Sequence, residues 1–305
     1  MKRVTFPAPL REGDRIAIVS PASSIDNRLV DEAIPVIMSQ GWTPVVMPSA
    51  LGSHGSYSAT RRERLNDLTE ALCDPTIRAV MCSRGGYGAV HLIDSLPADA
   101  VKADPKWLIG FSDISALHSF MSSLGIASLH ASMCKHLAEF GADDPDNITL
   151  FNILRGSLPT YSIEARHDGN KPGTATGQLF GGNLAVLGAL IGTPYDMFAH
   201  DDAILFLEDI AEPIYKVERQ FYQLRLSGVL DRIKGLIVGQ FTEYRPDRNY
   251  SDMLDMVRDM TADLNIPVAY NFPIGHIDHN LPVIESAPVM LDITPDKVNL
   301  SFNVH

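Results

Sequence analysis

Short apolar runs alternate with longer amphipathic stretches along the first half of the chain, the pattern of strands separated by helices. Residues 15–20 (R-I-A-I-V-S) read as a buried strand that ends in the turn at 21–24. Residues 28–40 then read as a helix with Leu29, Ala33, Ile34 and Ile37 inward. Residues 43–47 give a second strand, and 58–72 an amphipathic helix with Arg61, Arg62 and Glu63 outward and Leu65, Leu68 and Leu72 inward. Residues 79–82 give a third strand, followed by the glycine-rich turn 83–88 and a helix through His91 and Leu92. Residues 107–109 repeat the strand pattern and Gly110 breaks it; from Asp113, the spacing of Ile114, Leu117 and Met121 predicts a helix. Strands alternating with helices predict a parallel sheet with right-handed crossovers. In such sheets ligands bind beyond the carboxyl ends of the strands, where the turns at Ser20, Gly85 and Ser112 fall.

The texture changes after about residue 155. Residues 166–176 (R-H-D-G-N-K-P-G-T-A-T) are polar, with glycine and proline, and read as a linker or hairpin. Beyond them, strands are expected at 177–180, 203–207, 235–238 and near Val268 and Val289. Helices are expected at 182–191 (opened by Asn183), 217–226 and 250–264. The fold class that follows is α/β: an N-terminal parallel-sheet, Rossmann-like domain with a nucleophile elbow, over 1–160, and a smaller mixed α/β domain over 172–305.

The length of 305 residues and a hydrophobic content of 45% fit a globule of one large or two smaller domains. A net charge of −12 argues against nucleic acid or an anionic membrane as the partner, and leaves a small-molecule substrate. Three cysteines give no paired framework, which fits a reducing compartment, and no apolar run approaches a membrane span or a signal h-region. The expected location is the cytoplasm.

Several residues could carry chemistry. Ser112 sits at a strand-to-helix corner, the geometry of a nucleophile elbow, although Ser before an acidic residue also caps helices. The turn Arg84-Gly85-Gly86-Tyr87-Gly88 lacks the spacing of a phosphate or dinucleotide loop. It reads as an oxyanion hole or as a plain tight turn. Glu208 follows a buried strand, as a functional carboxylate or as a helix cap or solvated loop; His276 lies in a loop, as a base or as a surface or structural histidine. His130, Cys134 and His136 match no zinc spacing, so neither metal nor cofactor is expected. Cys82 reads as a buried thiol; as a nucleophile it would make the chain a cysteine amidotransferase. The order Ser…Glu…His is one that serine acyl transfer permits.

These residues lie in fragments that resemble the LD-carboxypeptidase family. The fragments are G-D-R-I-A-I-V-S-P-A-S at 13–23, C-S-R-G-G-Y-G-A at 82–89, I-G-F-S-D-I-S-A-L at 109–117 and L-H-A-S-M at 129–133. The second half adds G-G-N-L at 181–184, G-T-P-Y at 192–195, F-L-E-D at 206–209 and P-I-G-H at 273–276. Two stretches depart from the family's pattern: His130-Ala131-Ser132 stands where it has H-G-P, and Leu281 to Glu285 reads L-P-V-I-E where it has L-P-x-G.

The resemblance implies a triad of Ser112, Glu208 and His276. It also implies an oxyanion hole from the backbone N–H groups of Gly86 and Asp113, and an active site between an N-terminal α/β domain and a smaller C-terminal one. The activity implied is release of terminal D-Ala from a murein tetrapeptide in peptidoglycan recycling, by a homodimer. An exopeptidase must hold a free carboxylate; Arg84, next to Gly85, is the candidate in sequence, with a structural ion pair as the alternative. A microcin self-immunity hydrolase, cleaving an aminoacyl-nucleotide analogue with the same triad, is the alternative within the family. A non-catalytic protein that binds solute in its cleft is the alternative outside it.

Overall fold

The computed structural model describes residues 3–165 and 169–302, and the chain divides into two compact units. One comprises Arg3–Ser157 and Leu281–Ile284; the other comprises Leu158–Asn280 and Glu285–His305.

In the first unit β1 (Arg15–Val19), β2 (Thr43–Val46), β3 (Ile77–Cys82), β4 (Trp107–Gly110) and β5 (Ser128–His130) lie in the order β2-β1-β3-β4-β5, all paired in parallel. The connecting helices are α1 (Asn27–Ser39), α2 (Arg61–Cys73), α3 (Ala98–Ala103) and α4 (Ser115–Ser123), and α5 (Cys134–Phe140) and α6 (Pro145–Leu154) follow. Ile16, Ala17 and Ile18 are all fully buried. A strand covered on both faces reads as a continuous apolar run, which is why β1 stands out in the sequence. The strand order reverses between β1 and β3, so the turns after these strands open at a topological switch point.

Three local readings change. The helix expected through His91 and Leu92 is two 3-10 turns, Ala89–His91 and Ile93–Ser95, entered through Gly88 at φ 124°. On α2 the buried face includes Arg64 and Asp67 beside Leu68, Ala71 and Leu72, whereas Leu65 is only half-buried. Both charged groups are internally bonded; Asp67, for example, accepts the Ser49 N–H at 2.7 Å. Finally, the helix after the elbow begins at Ser115, behind a 3-10 turn at Ser112–Ile114.

The second unit holds β6 (Thr160–Glu164), β7 (Gly173–Asn183), β8 (Ala203–Ile210), β9 (Gly235–Thr242) and β10 (Val268–Ala269). Beyond β11 (Val283–Glu285) come β12 (Pro288–Ile293) and β13 (Lys297–Ser301). Its sheet runs β10-β9-β8-β7-β12-β13-β6, parallel from β10 to β7 and antiparallel from β7 to β6. Helices α7 (Leu184–Gly188), α8 (Ile214–Leu226), α9 (Val229–Arg232) and α10 (Met253–Thr261) complete it. The core gathers Leu205 and Leu207 of β8, Leu236 and Val238 of β9, Val217 and Phe221 of α8 and Met256 of α10. Asn183 does open a helix, accepting the Val186 N–H at 3.2 Å, but that helix ends at Gly188.

The polar stretch at 166–176 is corrected in part. Residues 166–168 lie outside the described residues, and Gly173, Thr174, Ala175 and Thr176 belong to β7, paired with β12. Their alternating exposure is that of a half-buried strand, and their small polar side chains hid it. The expected unbroken domain over 172–305 is corrected as well. Leu281–Ile284 belongs to the first unit, where β11 covers the otherwise open edge of β5.

Candidate active site

Ser112 follows β4 at φ 66°, a left-handed conformation that a non-glycine residue holds at a cost of about 1–3 kcal/mol. The surroundings over-determine it. His118, fully buried on α4, places Nε2 2.8 Å from the Gly110 carbonyl and Nδ1 2.8 Å from Ser128 Oγ. Burial pushes the His118 pKa down to about 4, so the ring is neutral, donating from Nε2 and accepting at Nδ1. Gly85 presses on the same corner: a Cβ there would stand 2.8 Å from Ser112 Cβ and 3.3 Å from the Asp113 nitrogen. Only glycine fits, and its backbone stands directly against the hydroxyl-bearing residue.

The rest of the glycine turn is tied to the loop after β1. Ser23 N–H donates to the Gly85 carbonyl at 3.3 Å, and the Tyr87 N–H donates to Ser23 Oγ at 3.2 Å. Gly86, at φ 111°, has no room for a side chain, which would collide with Ser23. Arg84 is exposed and donates from Nη1 to the Ser24 carbonyl at 3.1 Å; its partner is therefore a backbone carbonyl. Asp113 is buried, accepts the Ala89 N–H at 2.8 Å and has a pKa pushed up to about 6 by burial, against the hydrogen bonds of Ala89 and Gly88 and the charge of Arg64.

In the second unit Glu208 of β8 is fully buried, with Oε2 2.7 Å from His276 Nδ1. Two glycines make room for this carboxylate. A Cβ on Gly275, whose φ is 128°, would meet Glu208 Oε2 at 3.0 Å, and one on Gly239 would meet Glu208 Cβ at 3.3 Å. The His276 loop is closed by Asn280, whose Oδ1 accepts the Gly275 N–H at 2.9 Å. Burial works against a charged imidazole here. The hydrogen bond and charge of Glu208, with Asp209 and Glu243, outweigh it and hold the His276 pKa above its usual value. Asp209 accepts from Asn183 Nδ2 and the Ala185 N–H, both at 2.9 Å, and burial raises its pKa to about 6.

The structure thus brings Glu208 to His276 in one unit, and Gly85 and Asp113 to Ser112 in the other. Sequence reasoning missed His118, Arg64 and Gly239; a histidine four residues after an apolar Ile114 on the inward face of α4 was the available signal for the first. Cys82 is buried and its thiol pKa lies well above the usual value, so it is no nucleophile at neutral pH. His136 sits 3.1 Å from Asp144, near Asp146, but Asp144 is already the cap of α6, accepting the N–H groups of Asp146 and Asn147. No helix among the described residues is long and apolar enough to cross a membrane.

Residues 16–131 match the family model of the LD-carboxypeptidase N-terminal domain, and residues 176–291 that of the C-terminal domain. The chain is 34% identical over 301 residues to a putative carboxypeptidase of Streptomyces coelicolor, covering 96% of this chain and 94% of that one. The crystal structure of muramoyltetrapeptide carboxypeptidase from Oxalobacter formigenes is similar at TM-score 0.84 and 28% identity, covering 94% of this chain and 98% of that one. The microcin C7 self-immunity protein, in complex with aspartyl sulfamoyl adenosine, has the same fold at TM-score 0.85 and 22% identity, over 96% and 97% of the two chains.

Proposed function

The chain belongs to the LD-carboxypeptidase family and is a carboxypeptidase, and from that premise we propose that it is a serine peptidase releasing terminal D-Ala from a murein tetrapeptide. The observation that carries the chemistry is the buried Glu208 carboxylate bonded to His276 Nδ1, which leaves Nε2 as the base. On this reading Nε2 accepts the Ser112 Oγ proton as the oxygen attacks the carbonyl carbon between the diamino acid and D-Ala. Glu208 fixes the ring and stabilises the imidazolium. The Gly86 and Asp113 N–H groups receive the developing oxyanion. The C–N bond then breaks, His276 protonates the departing amine, and free D-Ala leaves. Water, deprotonated by His276, attacks the Ser112 ester, and the tripeptide departs as the proton returns to Oγ.

Arg84, beside Gly85, is the proposed partner of the substrate carboxylate, using the guanidinium donors that its Ser24 contact leaves. The proposal extends to a cytoplasmic homodimer that works in peptidoglycan recycling. Membership of a peptidase family sets aside the non-catalytic binding protein, and the buried Cys82 sets aside the amidotransferase. The experiment is a side-by-side assay of a murein tetrapeptide and an aminoacyl sulfamoyl adenosine, with free D-Ala and nucleoside quantified. D-Ala release without nucleoside release is the expected result; the reverse contradicts the substrate, and turnover of neither contradicts the proposal.

A further inference from the structure

The peptide bond between Gly88 and Ala89 is gripped on both sides. Its carbonyl accepts Arg64 Nη1 at 3.0 Å, and its N–H donates to Asp113 Oδ2 at 2.8 Å. Both side chains are almost wholly buried, at 2% and 3% exposure, where charge is costly to desolvate. Arg64 reaches further: Nη1 donates to the Pro21 carbonyl at 2.5 Å, Nε to the Ala59 carbonyl at 3.2 Å, and the guanidinium lies over the Tyr57 ring at 4.8 Å. One arginine therefore joins the loop after β1, the segment before α2 and the glycine turn after β3. Asp113, the neighbour of Ser112, joins that same turn to the elbow after β4.

We propose that Arg64 and the Asp113 side chain are positioning residues that clamp the 88–89 peptide and so hold the glycine turn in fixed register with the elbow. The inference rests on the proposed serine mechanism, in which one oxyanion donor, the Gly86 N–H, belongs to the turn and the other, the Asp113 N–H, to the elbow. The two donors come from different strand ends. A turn carrying Gly85, Gly86 and Gly88, the last two at φ 111° and 124°, has few side chains of its own to fix it. Donors stabilise a developing oxyanion only when their places are set before the reaction begins, and removing one costs about 10²–10³ in kcat. The clamp supplies that setting through two almost wholly buried side chains, by fixing the peptide group two residues beyond Gly86.

The test compares Asp113→Ala, Asp113→Asn and Arg64→Lys with the wild type in two measurements, D-Ala release from tetrapeptide and hydrogen exchange of the backbone amides at 84–89. Asp113→Ala is expected to lose about 10²–10³ in kcat with KM changed less than about threefold, and its turn amides exchange faster. Asp113→Asn, whose amide oxygen accepts the same Ala89 N–H, returns kcat to within about tenfold of wild type. Arg64→Lys, whose ammonium cannot serve three carbonyls in the planar arrangement, loses kcat and turn protection in smaller measure. A loss carried by KM, no rescue by Asn, or turn amides in Asp113→Ala as protected as in wild type would each overturn the clamp. If the wild type itself releases no D-Ala, the functional reading fails, and the exchange measurement still decides whether the clamp holds the turn.

Discussion

Glu208 Oε2 and His276 Nδ1 lie 2.7 Å apart, with the carboxylate fully enclosed and the imidazole at its mouth. A buried carboxylate beside a ring nitrogen does two things: it selects the tautomer with the proton on Nδ1, and it favours the charged ring. Replacing Glu208 by Gln keeps the shape and removes the charge. The His276 pKa should fall, so the acid limb of the pH profile of kcat/KM moves to lower pH. The plateau should drop by about 10³–10⁴. A pH series on the two proteins checks both; an unmoved limb would mean that Glu208 does not set the base.

Gly85 tests the packing around Ser112. A methyl group there would overlap Ser112 Cβ at 2.8 Å and crowd Asp113 N at 3.3 Å, so the elbow must shift. On the proposed mechanism Gly85→Ala should cost at least about 10² in kcat, since displacement by a fraction of an ångström would misplace both the Ser112 hydroxyl and the Asp113 N–H. The melting temperature should fall as well, because Gly85 is buried and the backbone that must move carries the buried Asp113. Near-normal turnover would show that the turn does not constrain the serine.

His118 gives a stability prediction with a definite sign. Its folded pKa of about 4 lies below the unfolded value near 6.5, so between these values the unfolded chain binds more protons. Stability then rises with pH across that window, by at most roughly 3 kcal/mol from this group. His118→Gln lacks the group, so the gap in unfolding midpoint between wild type and variant should narrow as pH falls from 7 to 4.5. Calorimetry at the two pH values measures it; a gap independent of pH would contradict the buried neutral ring.

Glu285 has the opposite sign. Burial raises its pKa well above the ordinary carboxyl value, only partly offset by the Gly181 N–H. The native state therefore binds the extra proton, and stability declines as pH rises above the unfolded pKa toward the folded one. Glu285→Gln removes that decline, so the variant should gain on the wild type between pH 5 and pH 8. Denaturant midpoints at both pH values check this, and a gain at pH 5 alone would refute it.

The N-terminal strands were legible because strands buried on both faces are unbroken apolar runs, as in Ile16 to Val19. β5 was missed because it is three residues long, with serine and histidine around Leu129. α6 was missed although it carries a readable signal, Asp144 as cap and Pro145 at the start of the helix. The start of β7 was hidden by small polar residues, and β11 by a pairing partner some 150 residues away in sequence, Ser128 to His130. Ser112, Glu208 and His276 were recognisable by type and order. The groups that fix them are ordinary in sequence and distinctive only by contact: His118, Arg64, Gly239 and the Asp113 carboxyl.

Turnover of a murein tetrapeptide by wild type and by Ser112→Ala, with folding checked by matched circular dichroism, tests the account most directly. The predicted result is stoichiometric D-Ala release by the wild type and a rate lower by about 10⁴–10⁶ in the variant. Release of D-Ala by Ser112→Ala at close to the wild-type rate would contradict it.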